Sequence, residues 1–167
     1  MVTDPKIAPR PEQPYASIRT LVTMDEFGSV IQPLHSEVMQ WLKQQGIAPT
    51  GAPFIRYNVI DMAAKLDVEM GWPTEKLLTG TDRITTDVLP AGNYAALLYT
   101  GHYDGLYDAN RVLIEWGRDN HIEWDGSTSP KGDVFAGRVE NYITDPGEEP
   151  DSSKWETEVA IKVADKK

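Results

Sequence analysis

The order of predicted strands and helices constrains the fold of this chain most, because the same order occurs twice. Hydrophobic periodicity and β-branched residues indicate a strand, a helix and two further strands in each half. In the first half these elements are predicted at 15–23, about 30–45, 54–61 and 65–71. In the second half they are predicted at 93–100, 106–120, 134–144 and 155–163. The order predicts an α+β domain whose largely antiparallel sheet carries both helices on one face.

Residue matches at nearly constant offsets support a duplication. The matched groups are Tyr15-Ala16 over Tyr94-Ala95, then Trp41, Ile47 and Gly51 over Trp116, Ile122 and Gly126, and finally 66–70 over 155–159. We interpret the halves as two fused strand-helix-strand-strand modules. The alternative is two unrelated α+β halves that share an element order.

The chain divides into three segments by composition. Residues 1–14 contain four prolines and almost nothing apolar, so we predict an extended N-terminal arm outside the core. Residues 15–163 are predicted to form a single domain, because a chain of 167 residues can bury one sizeable core but is short for two. Residues 164–167 are predicted to be a C-terminal tail.

Charge and cysteine content exclude several function classes. Sixteen Lys and Arg against 26 Asp and Glu give a formal charge of −10, which opposes direct binding of nucleic acid. The absence of cysteine excludes disulfides, thiolate zinc sites and a cysteine nucleophile. The sequence starts without a signal-peptide pattern and contains no apolar run long enough to span a membrane. We therefore expect a soluble, cytoplasmic protein without a membrane partner.

Motif searches leave no support for a metal or a bound cofactor. The three histidines lack a second ligand at a metal-binding spacing. The 101–105 segment contains two glycines but matches neither the dinucleotide nor the P-loop pattern, and we interpret it as a turn. No G-x-S-x-G sequence is present, so a serine triad is not supported. We expect neither a metal nor a cofactor.

Strand alternation predicts an acidic face on the sheet. Leu66, Val68 and Met70 would point towards the helices, which sends Asp67 and Glu69 to the opposite face. The same reasoning places Glu156 and Glu158 on that opposite face. In the strand predicted at 134–144, Val139 and Ile143 take the apolar positions. The other face of that strand, which carries Arg138, Glu140 and Tyr142, is therefore assigned to the same side of the sheet as the acidic residues. A helix-free face of this composition would attract cations. The alternative is an ordinary solvated side of a two-layer sheet.

Glu140 is the strongest single candidate for a binding residue. It lies beside Tyr142 in a strand that we expect to be central, where an unpaired carboxylate is costly unless a ligand or Arg138 compensates it. Three further aromatic residues are candidates for a ligand wall, namely Trp72, Tyr103 and Tyr107. The remaining tryptophans are assigned to the core.

Four segments resemble the GyrI-like family, the fold of effector-binding domains attached to AraC- and MerR-type transcription regulators. They are 100–106 (TGHYDGL), 115–116 (EW), 140–146 (ENYITDP) and 155–158 (WETE). The resemblance covers roughly residues 15–163. It implies two strand-helix-strand-strand modules related by a pseudo-twofold axis, with a ligand cleft between them.

The resemblance also implies a function and a set of site residues. Family members bind small, often lipophilic and cationic aromatic molecules, with a buried glutamate as counter-ion; Glu140 matches that glutamate and Tyr142 the aromatic residue beside it. Three hypotheses follow. The favoured one is a stand-alone small-molecule or multidrug binder, with Glu69 as a further ligand-binding candidate. The second is a hydrolase that opens cyclopropane-containing natural products, with Glu140 or Glu69 as general base. The third is a protein that contacts DNA gyrase.

Overall fold

The computed structural model describes residues 1–61 and 65–165, so the short connection predicted at 62–64 and the end of the predicted tail lie outside it. The two helices are α1 (Met24–Gln44) and α2 (Leu106–Asp119). The strands are β1 (Lys6–Arg10), β2 (Gln13–Val22), β3 (Phe54–Ile60), β4 (Leu66–Pro73), β5 (Thr85–Leu89), β6 (Gly92–Thr100), β7 (Gly126–Ser129), β8 (Gly132–Phe135), β9 (Arg138–Tyr142) and β10 (Glu156–Lys162).

The strands form one antiparallel sheet whose order is β1-β6-β10-β9-β3-β4-β2-β5, with β7 and β8 as a side hairpin that contacts β3. The inner six strands are two copies of one arrangement, in which the third strand of each module lies between the first and the second. The modules meet where β3 pairs with β9, and Ile55 lies opposite Glu140 there. This confirms the predicted α+β fold of two fused modules.

Both helices pack on the same face of the sheet. Ala109 and Leu113 of α2 join a core cluster with Val68, Met70 and Val159, and Ile31 of α1 packs against that cluster. The apolar residues of β4 and β10 alternate with acidic ones, so strand alternation predicts which side chains of these two strands point towards the helices. Below, the face opposite α1 and α2 is called the helix-free face.

Helix α1 begins several residues earlier than we predict from hydrophobic spacing. Thr23 caps it: the Thr23 side chain accepts a hydrogen bond from the backbone of Glu26, and the Glu26 side chain accepts one from the backbone of Thr23. This reciprocal capping box fixes the start of the helix. The helix then continues through Pro33, whose missing N–H leaves one helical hydrogen bond unmade.

The structure corrects the prediction at several strands. The segment predicted as one strand at 134–144 is β8 and β9, separated near Gly137, where an added Cβ would lie 2.7 Å from the Tyr94 hydroxyl. Strands β5 and β7 are additional. The predicted arm at 1–14 contributes β1, which pairs with β6 at the sheet edge. Prolines are tolerated at such an edge, because one side of the strand needs no hydrogen-bond donors.

The prediction that Arg138, Glu140 and Tyr142 lie on the helix-free face is wrong. Glu140 pairs with Val159 in the register of β9 and β10, so it shares the helix-covered face with that residue. The prediction failed because the helix-free face has an apolar core of its own. That second core contains Tyr15, Phe54, Tyr94, Val139 and Ala160.

Among the described residues, no helix is long and apolar enough to cross a membrane.

Candidate functional site

A cavity of about 1260 Å³ lies on the helix-covered face of the sheet. Helix α1 and helix α2 contribute opposite walls, β3 and β9 contribute the sheet side, and the segment 143–147 completes the boundary. The cavity therefore lies where the two modules meet. Pockets that hold drug-sized ligands have volumes of roughly 300–1,000 Å³, so this one has room for a large organic molecule.

Glu140 lies on the sheet side of this cavity and is only 4% exposed. One carboxylate oxygen accepts hydrogen bonds from the hydroxyls of Tyr57 and Tyr142, both at 2.7 Å. The other oxygen accepts one from the Asn110 side-chain amide at 2.8 Å. All three donors are neutral. Within the described chain, Glu140 forms no ion pair at 4.0 Å or less.

The two phenols act as hydrogen-bond donors to this carboxylate. Burial, followed by the negative charge of Glu140, raises the pKa of both Tyr57 and Tyr142 well above the ordinary tyrosine value. Both hydroxyls therefore stay protonated and can donate. The result is a buried carboxylate that is held by dipoles and lacks a positive charge in direct contact.

A cation lies nearby but reaches Glu140 only through another side chain. The Arg138 guanidinium donates a hydrogen bond of 3.1 Å to the Asn110 side-chain oxygen, while the amide nitrogen of Asn110 donates to Glu140. Arg138 also lies over the Phe135 ring, 4.7 Å from its centroid. Burial lowers the pKa of Arg138 from its ordinary value. Of the two alternatives for compensating Glu140, a ligand or Arg138, Arg138 is connected to the carboxylate only through Asn110.

The structure brings five of the six predicted ligand-binding residues to the cavity: Glu140, Tyr142, Trp72, Tyr103 and Tyr107. The Tyr103 and Tyr142 rings meet edge to face at 5.5 Å. The Trp72 indole donates to the His35 backbone carbonyl at 2.9 Å, which fixes its orientation. Tyr107 is 64% exposed at the cavity boundary.

Glu69 is the exception, because it lies on the helix-free face and does not line this cavity. It is 2% exposed and accepts hydrogen bonds from Tyr15 at 2.9 Å, Ser17 at 2.8 Å and Asn58 at 2.9 Å. The grouping of Glu69 with Glu140 in one site is therefore wrong. Glu69 is also no solvated surface carboxylate, since the second core buries it.

Other residues of the cavity wall were not predicted as site residues, among them Phe27, His35, Tyr57 and Asn110. A sequence signal existed for one of them. Asn110 follows Ala109 on the face of α2 that carries Leu106 and Leu113, and a polar side chain within an apolar stripe needs a buried partner. The Phe27 and Tyr57 rings stack in the cavity wall with their centroids 6.1 Å apart. These residues come from distant segments, so no local pattern predicts their contact.

His35 has a structural role here. Its Nε2 lies 2.7 Å from the Phe54 backbone carbonyl, which can only accept, so this nitrogen carries the proton. Burial lowers the pKa of His35 below its ordinary value of 6.5. A neutral imidazole therefore joins α1 to β3 beside the cavity.

A family model and several solved structures match this chain. The family model described as the GyrI-like small molecule binding domain matches residues 3–164. No curated protein sequence gives a significant match.

Several solved structures share the fold. The EcmrR C-terminal domain has 24% identity and a TM-score of 0.75, and the match covers 98% of this chain and 98% of that chain. In the structure of the EcmrR–DNA complex, the chain spans 58% of the longer EcmrR chain. SAV2435 bound to tetraphenylphosphonium has 10% identity and a TM-score of 0.65, with coverages of 97% and 94%. A hydrolase from Listeria innocua has 12% identity and a TM-score of 0.60, with coverages of 96% and 91%.

Proposed function

Since the chain belongs to the GyrI-like small-molecule-binding domain family, we propose that its cavity binds lipophilic aromatic cations and that Glu140 is their counter-ion. The proposal rests on the burial and the hydrogen-bond partners of Glu140. Its carboxylate is buried in the cavity wall and hydrogen-bonded by three neutral donors, and no cation of the described chain contacts it. A charge removed from water in this way gains most from a partner that arrives with the ligand.

The surrounding side chains favour an aromatic cation over an inorganic one. Trp72, Tyr103 and Tyr142 present ring surfaces to the same cavity as Glu140. A cation over an aromatic face gains roughly 0.5–2 kcal/mol, more when it is desolvated. The cavity volume also exceeds what a hydrated metal ion would fill. A neighbour in the same fold was solved with tetraphenylphosphonium, which supports the choice of that cation as a probe.

The proposal is tested by comparing two probes of the same shape and opposite charge. Tetraphenylphosphonium and tetraphenylborate are titrated separately into the protein in sodium buffer, and binding is followed by calorimetry. We expect the phosphonium to bind at least tenfold more tightly, a difference of about 1.4 kcal/mol. Equal affinities, or tighter binding of the borate, would rule out the counter-ion role of Glu140.

The hydrolase alternative stays a prediction. It requires Glu140 to activate a water molecule as general base. One carboxylate oxygen already accepts two hydrogen bonds and the other accepts one, so a single acceptor position remains for that water. Turnover of an electrophilic cyclopropane compound, followed by mass spectrometry, is the measurement that tests it.

A further inference from the structure

The cavity contains a second charged group that the proposed function does not use. Arg138 lies two residues before Glu140 on β9, on the same face of the sheet, and it lines the same cavity. An arginine that served only to neutralise Glu140 would contact its carboxylate. Here the two side chains are joined only through Asn110.

The hydrogen-bonding capacity of Arg138 is largely unused. A guanidinium has five N–H donors. Within residues 1–61 and 65–165, the only side-chain hydrogen bond of Arg138 goes to Asn110 at 3.1 Å, and no carboxylate lies within 4.0 Å of it. Its Nε is buried without a partner. Phe135 covers one face of the group at 4.7 Å, which leaves its edge as the place for an acceptor.

We propose that Arg138 is a second ligand-recognition residue of this cavity and that it binds an oxyanion group of the ligand. Resting on the proposed role of Glu140, this inference narrows the ligand class to amphoteric aromatic molecules, which carry a cationic and an acidic group on one scaffold. Arginine suits this role because its planar donors match a carboxylate in a bidentate manner.

The overall charge of the protein makes the inference testable. With a formal charge of −10, the molecule as a whole repels a ligand carboxylate. If a ligand with a carboxylate binds as tightly as the same ligand without it, a positively charged side chain near that carboxylate must compensate for the repulsion. Another arginine, Arg118, is exposed on α2 and does not line the cavity, so it provides a matched control.

The test uses tetramethylrhodamine and its methyl ester, which share one cationic aromatic system and differ in a carboxylate. Fluorescence anisotropy gives the affinity of the full-length protein for each dye. In the unmodified protein we expect the free acid to bind at least as tightly as the ester. In Arg138→Met, the free acid should lose about tenfold in affinity, while the ester should bind equally well or better. Arg118→Met should change neither affinity by more than about twofold.

The outcomes separate the two proposals. If the unmodified protein binds the ester but binds the free acid much more weakly, the role of Arg138 is overturned and the role of Glu140 stands. The Arg138 proposal is also overturned if Arg138→Met weakens both dyes equally, since Arg138 then only holds Asn110 in place. If neither dye binds, both proposals fail. Should Arg138→Met not fold, Arg138→Gln and the comparison in the unmodified protein still decide the question.

Discussion

Replacement of Glu140 by glutamine removes one charge and almost no volume, so it separates electrostatics from packing. The side-chain oxygen of glutamine can still accept hydrogen bonds from Tyr57 and Tyr142. Its amide would meet the Asn110 amide, which also donates to the Leu106 carbonyl. One hydrogen bond is therefore lost, worth about 1 kcal/mol. Relief from a buried charge offsets that loss, because an unpaired buried carboxylate costs several kcal/mol. We expect Glu140→Gln to fold with its free energy of unfolding unchanged within about 1 kcal/mol, or increased.

The effect on cation binding should be larger than the effect on stability. At a separation of roughly 5 Å and an effective dielectric constant of about 20, two unit charges attract by about 3 kcal/mol. An exposed pair would contribute only about 0–1 kcal/mol. Because Glu140 is 4% exposed, we expect Glu140→Gln to weaken tetraphenylphosphonium binding by roughly 10- to 100-fold.

Calorimetric titration of tetraphenylphosphonium measures this loss, and thermal unfolding checks the fold of each variant. Glu115→Gln is the matched control, since it removes the same charge from an exposed residue of α2 outside the cavity. The control should leave the affinity within about twofold of that of the unmodified protein. If Glu140→Gln and Glu115→Gln bind the cation equally well, the counter-ion reasoning is refuted. If the protein is a hydrolase, Glu140→Gln should instead keep much of its substrate binding and lose roughly 10² or more in turnover.

Three further predictions follow from the placement of other side chains. Glu69→Gln should change the free energy of unfolding by no more than about 1 kcal/mol, for the same reason as Glu140→Gln, and it should leave tetraphenylphosphonium affinity unchanged because Glu69 does not line the cavity; a loss of affinity would return Glu69 to the site. Tyr103→Ala should weaken the same cation by roughly 0.5–2 kcal/mol in calorimetry, and an unchanged affinity would remove this ring from the binding surface. His35 has a lowered pKa in the folded protein, so below pH 6.5 the unfolded chain binds more protons and stability falls as the pH falls. We expect the free energy of unfolding, measured with urea, to fall less between pH 7.5 and pH 5.5 for His35→Gln than for the unmodified protein or for the exposed control His102→Gln. Equal falls in the three proteins would contradict the reasoning.

The cavity and the second core give the sheet an unusual distribution of charge. Glu140 and Glu69 are both nearly inaccessible to water, one on each face, and each is held by three neutral donors. Only Glu140 borders a cavity with room for a ligand. Both carboxylates therefore carry the cost of a buried charge, but only Glu140 can gain a positively charged partner when a ligand binds.

Local patterns were sufficient to predict the architecture. Alternation over 66–70 and 155–159, helical spacing in each half and the repeated order of elements all reflect interactions within a few residues of the chain. The edge strands were not predictable in this way. Lys6–Arg10 is mostly exposed and contains a proline at position 9, and it is a strand only because β6 supplies its hydrogen-bond partners. The early start of α1 had a readable signal in the capping box of Thr23 and Glu26.

Periodicity and the repeated order of elements were enough to predict two fused α+β modules, and residue chemistry marked Glu140, Tyr142 and the aromatic candidates as unusual. Which of these residues share a cavity depends on the tertiary fold. Alternation divides the side chains of β9 into two sets, but it identifies the helix-covered set only when the other face is polar. Here Val139 packs into a second core, so both faces are apolar and the pattern is ambiguous. The register of β9 with β10 and β3 resolves that ambiguity, because hydrogen bonding between strands distant in the sequence fixes the face on which Glu140 lies.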